Sequence, residues 1–308
     1  IFEPLGMEHS DYFMSERVRA DLAQGYQFKK DRFAPVEYLR LNTPGCGGIF
    51  SNVTDMVRYV SALMAGGRAE NGQLLHSQTL KLMMTPQLQT DARLFGMGLG
   101  FMLKQYGPYL AARHGGGWHG FISEMTVIPE KKLAVLVFTN SSSSAPALIA
   151  RDMLHRILEL PDPLEVFPAA NVLQNPAGWA KLCGSYGPKP GFLTNWRIWE
   201  GYGGEVEVFV KDGQLMARGL TGAFSKGFPL QRADPQDERY FIGKAGKQLI
   251  PFLFHENASG EVTHLDMAQY ALYKRPRQQS LRFKAMTLGG GLAGILLMAL
   301  GKQFFKRK

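Results

Sequence analysis

The chain has 308 residues, 45% of them hydrophobic and 20% charged, a composition that excludes a disordered or fibrous protein. Nine of the 35 basic residues lie in the acid-free stretch from Lys274 to Lys308, so the formal net charge of +9 belongs to the C-terminal end, and the other 26 basic residues match the 26 acidic ones. We therefore expect no basic folded face and no nucleic-acid partner.

Residues 51–65 are predicted to form the first clear helix. Ser51 or Thr54 would cap it, Asp55 favours its first turn, and Gly66-Gly67 would end it. Its apolar residues recur at helical spacing on one stripe, which indicates core packing: Met56, Val57, Val60, Leu63 and Met64.

The segment from Arg113 to Ser144 carries the strongest pattern in the chain. It begins with His114 in a predicted glycine-lined turn, followed by a strand with period-two alternation over residues 121–128. Residues 129–132 form the next predicted turn, and the β-branched residues of 133–139 predict a second strand. A glycine-lined turn leaves backbone N–H groups reachable, as an oxyanion-binding site requires.

Residues 145–160 predict an amphipathic helix that ends before Pro161 and returns over the 121–139 hairpin. Residues 161–178 are rich in Pro, Ala and Asn and are expected to be a linker. Residues 179–275 predict a small antiparallel barrel or curled sheet. Its candidate strands are Glu205–Lys211, Gln214–Arg218, Arg239–Ile242, Gln248–His255 and Val262–Tyr273.

The last segment, residues 276–308, combines basic residues with an uncharged run from Ala285 to Gly301 of about 17 residues, near the lower limit for a bilayer span. Apolar residues cover every face of this run and basic residues flank it. We therefore predict one C-terminal transmembrane anchor through residues 285–301, rather than a buried or amphipathic surface helix. Basic residues on both sides leave its orientation undecided. The two cysteines, Cys46 and Cys183, have neither metal-ligand nor disulfide-framework spacing, and two buried free thiols are expected.

Four motifs in chain order resemble those of the serine β-lactamase and penicillin-binding protein superfamily, in its class C-like, esterase and D-aminopeptidase branch. They are Ile1-Phe2-Glu3-Pro4-Leu5-Gly6-Met7; Pro44 to Ser51 followed by Thr54-Asp55-Met56; Phe95-Gly96-Met97-Gly98-Leu99-Gly100; and His114-Gly115-Gly116, where the family carries Lys-Thr-Gly or His-x-Gly. The resemblance implies an α+β fold over residues 1–160, the C-terminal part of a β-lactamase-like domain with an antiparallel sheet flanked by helices. Residues 179–275 resemble the lipocalin-like accessory domain of some members.

The same resemblance implies two catalytic residues. His114 would stand in place of lysine on the edge strand beside the active site, and Gly117 would donate its backbone N–H to an oxyanion. Four further residues would contact the substrate: Gly115, Gly116, Trp118 and His119. An imidazole with the ordinary pKa of ~6.5 is only partly charged at neutral pH, which favours esters or D-amino-acid amides over β-lactam carboxylates. The alternatives are structural roles. His114 would bond to a neighbouring carbonyl group, Gly117 would only allow a bend in the chain, and Trp118 and His119 would only pack against other side chains.

The superfamily's nucleophile motif, Ser-x-x-Lys, does not occur in the chain, and neither does its Tyr-x-Asn or Ser-x-Asn partner. The nucleophile elbow Gly-x-Ser-x-Gly is absent too. In the family the first two motifs precede the Pro-Leu-Gly-Met phrase, within which this chain opens at Ile1. We therefore expect a C-terminal fragment that is inactive alone and that has the missing N-terminal part of the same domain as its partner; a true pseudoenzyme is the alternative.

Two functional hypotheses follow. The first is a membrane-anchored serine hydrolase that forms an acyl-enzyme with a small-molecule or peptide substrate: an ester, a D-amino-acid peptide or a cell-wall fragment. The family's usual export implies a single-pass protein with its folded part on the extracytoplasmic side. The second is a non-catalytic membrane-anchored protein that binds peptides or peptidoglycan through a degenerate cleft. No cofactor is expected, and no metal site, because His114 and His119 have no third ligand nearby.

Overall fold

The computed structural model describes residues 1–29, 31–40, 45, 47–165, 167, 173–189, 203–222 and 224–287, with the backbone alone for residues 285–287. Within these residues the protein has a mixed α/β fold. The chain divides into two compact units, Ile1–Pro163 and Leu164–Lys308.

The first unit combines short helices with an antiparallel sheet. Its elements are α1 (Phe2–Leu5), α2 (Glu16–Asp21), β1 (Gly25–Lys29), β2 (Arg32–Val36), α3 (Val53–Met64), β3 (Arg68–Ala69), β4 (Gly72–Gln73), α4 (Ser77–Met83), β5 (Gly96–Met97), β6 (Met102–Tyr106), β7 (Tyr109–Trp118), β8 (Phe121–Ile128), β9 (Leu133–Thr139) and α5 (Ala145–Ile157). Strands β5 to β9 form one five-stranded sheet in chain order, and β1–β2 and β3–β4 form separate hairpins.

Helices cover both faces of the five-stranded sheet. The face toward α3 buries Val60, Leu63, Leu103, Ala112 and Val127. The opposite face, toward α5, buries Ala111, Ile128, Val135, Ala150 and Leu154. Since successive strand residues alternate between the two faces, the apolar residues of β7 and β8 serve both layers. The predicted return of a helix over the hairpin is confirmed by α5, which packs on β8 and β9.

The first predicted helix is confirmed as α3, but the predicted cap is wrong. Asn52 caps the helix instead of Ser51 or Thr54, because its side-chain Oδ1 accepts a hydrogen bond from the N–H of Asp55 at 2.8 Å. The backbone of Asn52 is extended, with φ of −123° and ψ of 172°, so its side chain reaches back to the first helical turn.

Asp55 joins two sequence motifs that lie far apart in the chain. Its side chain is buried, and its Oδ2 accepts hydrogen bonds from the N–H of His9 and from the hydroxyl of Ser10, both at 2.8 Å. The Ser10 hydroxyl also lies 2.7 Å from that of Ser51. The N-terminal segment is therefore bonded to the first turn of α3 through one buried carboxylate.

The second unit is dominated by a closed antiparallel barrel. Its elements are α6 (Trp179–Leu182), β10 (Gly184–Gly187), β11 (Val206–Lys211), β12 (Gln214–Gly219), β13 (Phe228–Arg232), β14 (Tyr240–Ala245), β15 (Gln248–Glu256), β16 (Val262–Met267), β17 (Tyr270–Arg275) and α7 (Leu281–Thr287). The eight strands follow one another in chain order, and β17 pairs with β10 to close the barrel.

The predicted barrel is thus confirmed, with changes to its strands. The strand predicted over 262–273 is two strands, because Ala268 adopts φ of 53° and reverses the chain between β16 and β17. Strands β10 and β13 were not predicted. The interior is filled by side chains, among them Tyr186, Phe252 and Phe254, each fully buried.

The barrel fixes the start of the C-terminal helix. The buried Glu205 accepts hydrogen bonds from the Ser280 hydroxyl and from the N–H of Leu281, each at 2.8 Å, at the first turn of α7. No helix in the described part of the chain is long and apolar enough to cross a membrane. The predicted anchor, residues 285–301, lies outside the described residues from position 288 onward.

The structure describes one of the two cysteines. Cys46 lies outside the described residues. Cys183 is a free thiol and is half-buried rather than fully buried, and this burial raises the pKa of its thiol.

Replacing Asp55 by alanine is expected to weaken the first unit by about 1–3 kcal/mol, because the N–H of His9 and the hydroxyl of Ser10 lose a buried acceptor. Hydrogen exchange measured on peptides from residues 1–65 should show faster exchange at positions 7–12 and in the first turn of α3. The exposed Glu70→Ala is the matched control and should leave exchange unchanged. Equal exchange in the two variants would contradict a structural role for this carboxylate.

Candidate active site

The segment predicted as a glycine-lined turn is a strand. His114 to Trp118 form the second half of β7 and pair in register with Phe121 to Met125 of β8. The reversal takes only His119 and Gly120, and Gly120 has a left-handed φ of 85°. The prediction of a turn at His114 is therefore wrong, whereas the turn at residues 129–132 is confirmed, with Lys132 at φ of 48°.

Strand β7 is the third strand of the sheet, yet its second half is an edge. Strand β6 pairs with β7 from Tyr109 only as far as Arg113, opposite Met102. Beyond that point, no strand among the described residues pairs with β7 on the β6 side. The prediction that His114 lies on an edge strand is thus correct only for this half of β7.

The register determines which backbone groups face the open edge. In a hairpin with a two-residue turn, the closing pair exchanges both hydrogen bonds, so Trp118 and Phe121 are a hydrogen-bonded pair. The alternation then directs the N–H and C=O of Gly116 and His114 toward β8. The N–H and C=O of Gly115 and Gly117 point the other way, toward the open edge.

His114 lies on the α3 side of the sheet. It follows Ala112 by two residues in β7 and so shares its face of the strand, and Ala112 packs against α3. His114 is also the direct cross-strand partner of Met125. Its side chain is half-buried, while Gly116 and Gly117 are exposed. The histidine therefore borders solvent at the open half of β7, and its own interactions are with neighbouring groups of the protein.

Ser123 is a site neighbour that the sequence reasoning missed. It pairs with Gly116 on the His114 face, and a Cβ at Gly116 would lie 2.4 Å from the Ser123 hydroxyl oxygen. Glycine at 116 thus leaves room for a hydroxyl group over the strand. The signal in the sequence was the period-two alternation of β8, which places Ser123 and Met125 on one face.

The opposite face of the same strand holds a buried ion pair. Arg113 donates two hydrogen bonds to Glu124, with N···O distances of 2.9 and 2.6 Å, and Thr126 donates to the same carboxylate at 3.1 Å. Burial by itself would lower the pKa of Arg113, but the bonds and charge of Glu124 outweigh it and raise that pKa. A Cβ at Gly115 would lie 3.4 Å from Glu124 Oε2, so glycine there leaves space for this carboxylate.

The tip of the β7–β8 hairpin is bonded to the segment that follows β2. Trp118 donates its indole N–H to the carbonyl of Leu39, and His119 Nδ1 lies 3.3 Å from the carbonyl oxygen of Glu37. Gly120 donates its N–H to the Ser142 hydroxyl at 3.0 Å. The indole N–H of Trp118 and Nδ1 of His119 therefore have structural partners, and the predicted contact of these two residues with substrate stays a prediction.

The first unit corresponds to a known family. A family model described as Beta-lactamase matches residues 1–159. The chain belongs to the beta-lactamase family. The five-stranded sheet, α3, α5 and the candidate site all lie within the matched residues, whereas the barrel lies outside them.

Individual relatives match this beta-lactamase-family chain in part. A human protein described as Putative beta-lactamase-like 1 is 27% identical over 154 residues, which cover 49% of this chain and 30% of that protein. The octameric penicillin-binding protein homologue from Pyrococcus abyssi is 24% identical, with a TM-score of 0.46, and the match covers 89% of this chain and 58% of that one. A structure of SurE with D-Leu is 18% identical, with a TM-score of 0.53, over 89% of this chain and 61% of SurE. The chain thus spans less than two thirds of each of these proteins.

The six predicted site residues, His114 to His119, therefore lie together on β7 and its turn. The structure brings them beside Ser123, Glu37 and Leu39, which the sequence pattern did not single out. The catalytic and substrate-binding roles remain predictions.

Replacing Gly120 by alanine is expected to destabilise the first unit more than replacing Gly100 does. Both residues have a left-handed φ, 85° and 77°, which costs alanine about 1–2 kcal/mol. A Cβ at Gly120 would also lie 2.6 Å from Val36 Cγ2 and 3.0 Å from Gly25 Cα, whereas nothing lies within 4 Å at Gly100. Overpacking should add about 1–3 kcal/mol for Gly120→Ala. The urea midpoint of the first unit, followed by pulse proteolysis, measures both variants, and equal midpoints would refute this close approach.

Proposed function

We propose that the protein is a serine hydrolase that acts through an acyl-enzyme on esters, D-amino-acid peptides or cell-wall fragments, and that the chain supplies one wall of its active site. The observation that carries the proposal is the open half of β7, where Gly115 and Gly117 direct backbone groups outward beside His114. Membership of the beta-lactamase family supports a hydrolytic reaction.

In this proposal the open edge of β7 binds the substrate in two ways. An extended peptide can add to an unpaired strand edge through main-chain hydrogen bonds, and the carbonyl and N–H of Gly115 offer such bonds. The N–H of Gly117 acts as one oxyanion donor, and the N–H of the nucleophile supplies the second. Exposure of Gly116 and Gly117 leaves room for the acyl group.

His114 would contact the reacting end of the substrate from the α3 side of the strand. A neutral imidazole can donate one hydrogen bond but holds a carboxylate less firmly than an ammonium group does. This favours esters and D-amino-acid peptides over β-lactams as substrates. The D-Leu in the SurE structure belongs to that protein, and it makes D-leucine derivatives reasonable first substrates to test.

We propose that the nucleophile comes from a segment outside these 308 residues, in which Ser-x-x-Lys does not occur. The chain covers 30% of the length of the human relative. The 308-residue chain is accordingly proposed to be inactive by itself. The competing function is a non-catalytic protein that binds peptides or peptidoglycan along the same edge.

The first test uses the longer gene product that includes the residues before Ile1. A fluorophosphonate probe should label it, and His114→Ala should keep the label but lower kcat/KM for p-nitrophenyl esters and D-leucine p-nitroanilide by about 10²-fold, the scale of a lost active-site hydrogen-bond donor. His76→Ala is the matched control, since His76 is exposed and forms no side-chain cap bond. Absence of labelling in the longer protein would favour the binding protein, and unchanged kinetics in His114→Ala would remove His114 from the site.

We also propose that residues 285–301 anchor the protein in a membrane, with the folded part on the extracytoplasmic side. Helix α7 leads directly into this segment, and Glu205 bonds the start of α7 to the barrel. The barrel would then be held close to the bilayer surface.

Liposome flotation tests this anchor. The intact chain should float with vesicles at high salt, because insertion of the apolar run does not depend on surface charge. The double variant Leu296→Lys and Leu297→Lys should lose flotation, since each lysine costs about 2.5–3.5 kcal/mol near the centre of a membrane helix. Removal of residues 302–308 is the control that keeps the apolar run. Flotation that disappears with salt in the intact chain would indicate electrostatic binding instead.

A further inference from the structure

We propose that the outer face of the barrel carries a binding site for a divalent transition metal ion of the Zn²⁺ type, formed by His255, His264 and Asp266. The site lies in the second unit and is independent of the hydrolase function proposed above. It is also separate from His114 and His119, whose positions in the sequence indicate no metal site.

Cross-strand register brings the three residues together. His255 on β15 is the direct partner of His264 on β16, and Asp266 follows two residues later on the same face of β16. Phe254 and Leu265, which alternate with them, belong to the barrel core. The three candidate ligands therefore project from the face of the sheet opposite the core.

The distances suit a single ion. One ligand atom from each side chain lies within 4.8 Å of the other two. His255 Nε2 lies 2.9 Å from Asp266 Oδ2, and the imidazole rings of His255 and His264 stack with centroids 4.1 Å apart and planes 2° apart. Ligand atoms around a tetrahedral Zn²⁺ are about 3.4 Å apart, and the lone pair of an imidazole lies in its ring plane, so binding requires the two stacked rings to rotate until their planes converge on the ion.

Thr263 prepares His264 as a ligand. Its hydroxyl donates to the backbone carbonyl of His255 at 3.3 Å, and a hydroxyl has only one proton to donate. The contact of 3.0 Å between Thr263 Oγ1 and His264 Nδ1 is therefore donated by Nδ1–H. The lone pair of His264 then lies on Nε2, and an outer-sphere hydrogen bond of this kind is typical of metal-binding histidines.

Accessibility agrees with a metal ligand set. The Asp266 side chain is 5% exposed, and that of His255 is 25% exposed, so the ion would approach from the histidine side. Two imidazoles and one carboxylate leave at least one coordination position for water.

The experiment uses the full 308-residue chain after removal of metal with a chelator. Zn²⁺ should bind with a stoichiometry of one by calorimetry, and Co²⁺ should give the visible d–d bands of a site with N and O ligands. His264→Gln and, separately, His255→Gln should each weaken Zn²⁺ binding at least tenfold. His76→Gln, which removes an exposed histidine of the first unit, is the matched control and should bind as the unchanged chain does.

Thermal unfolding gives a second measurement of Zn²⁺ binding, because an ion that binds only the folded chain raises its thermal midpoint. Saturating Zn²⁺ should raise the thermal midpoint of the unchanged chain and of His76→Gln, but not that of His264→Gln. Circular dichroism establishes that each variant keeps its barrel. Two results would overturn the proposal. The first is Zn²⁺ binding by His264→Gln and His255→Gln equal to that of the unchanged chain. The second is no stoichiometric Zn²⁺ binding by the unchanged chain, which would make the cluster a hydrogen-bonded histidine–aspartate pair.

Discussion

Backbone hydrogen bonding to β7 continues on the β8 side as far as Trp118 but stops on the β6 side at Arg113. An antiparallel edge exposes its N–H and C=O groups at every second residue. Here that period selects Gly115 and Gly117, and the absence of side chains at both positions keeps the edge accessible. The position of the outward donors therefore follows from the short length of β6 and from a normal strand conformation, without a special turn.

A strand edge can orient a substrate only if the strand itself is held in place, and β7 is supported at three points. Strand β8 pairs with its full exposed half. The ion pair of Arg113 with Glu124 bonds the two strands on the α5 side. At the tip, the carbonyl of Leu39 accepts the indole N–H of Trp118, and Gly120 packs against β1 closely enough to exclude a side chain. These contacts are local to the first unit and do not depend on the barrel.

The strands, the α3 and α5 helices and the barrel could be predicted because the spacing of apolar residues along each element shows which of its faces is buried. It placed His114 in a turn because three consecutive glycines are the usual signal of a loop, whereas here the glycines leave space for side chains of the paired strand such as Ser123. The reversal at Ala268 was missed because alanine carries no turn signal. The cluster of His255 with His264 depends on the pairing of β15 with β16, and spacing along the chain does not reveal pairing.

Three basic side chains gather on the α5 side of the sheet, opposite the face that carries His114. Burial, followed by the charges of Arg113 and Arg151, lowers the pKa of Lys104 to about 8, while Glu124 opposes this shift. Arg113 pairs there with the buried Glu124, and Arg151 pairs with Asp152 at 2.7 Å, in surroundings that screen charge less than water does. The carboxylates of Glu124 and Asp152 offset two of these three charges, and burial makes the third, on Lys104, easier to lose than the charge of an exposed lysine.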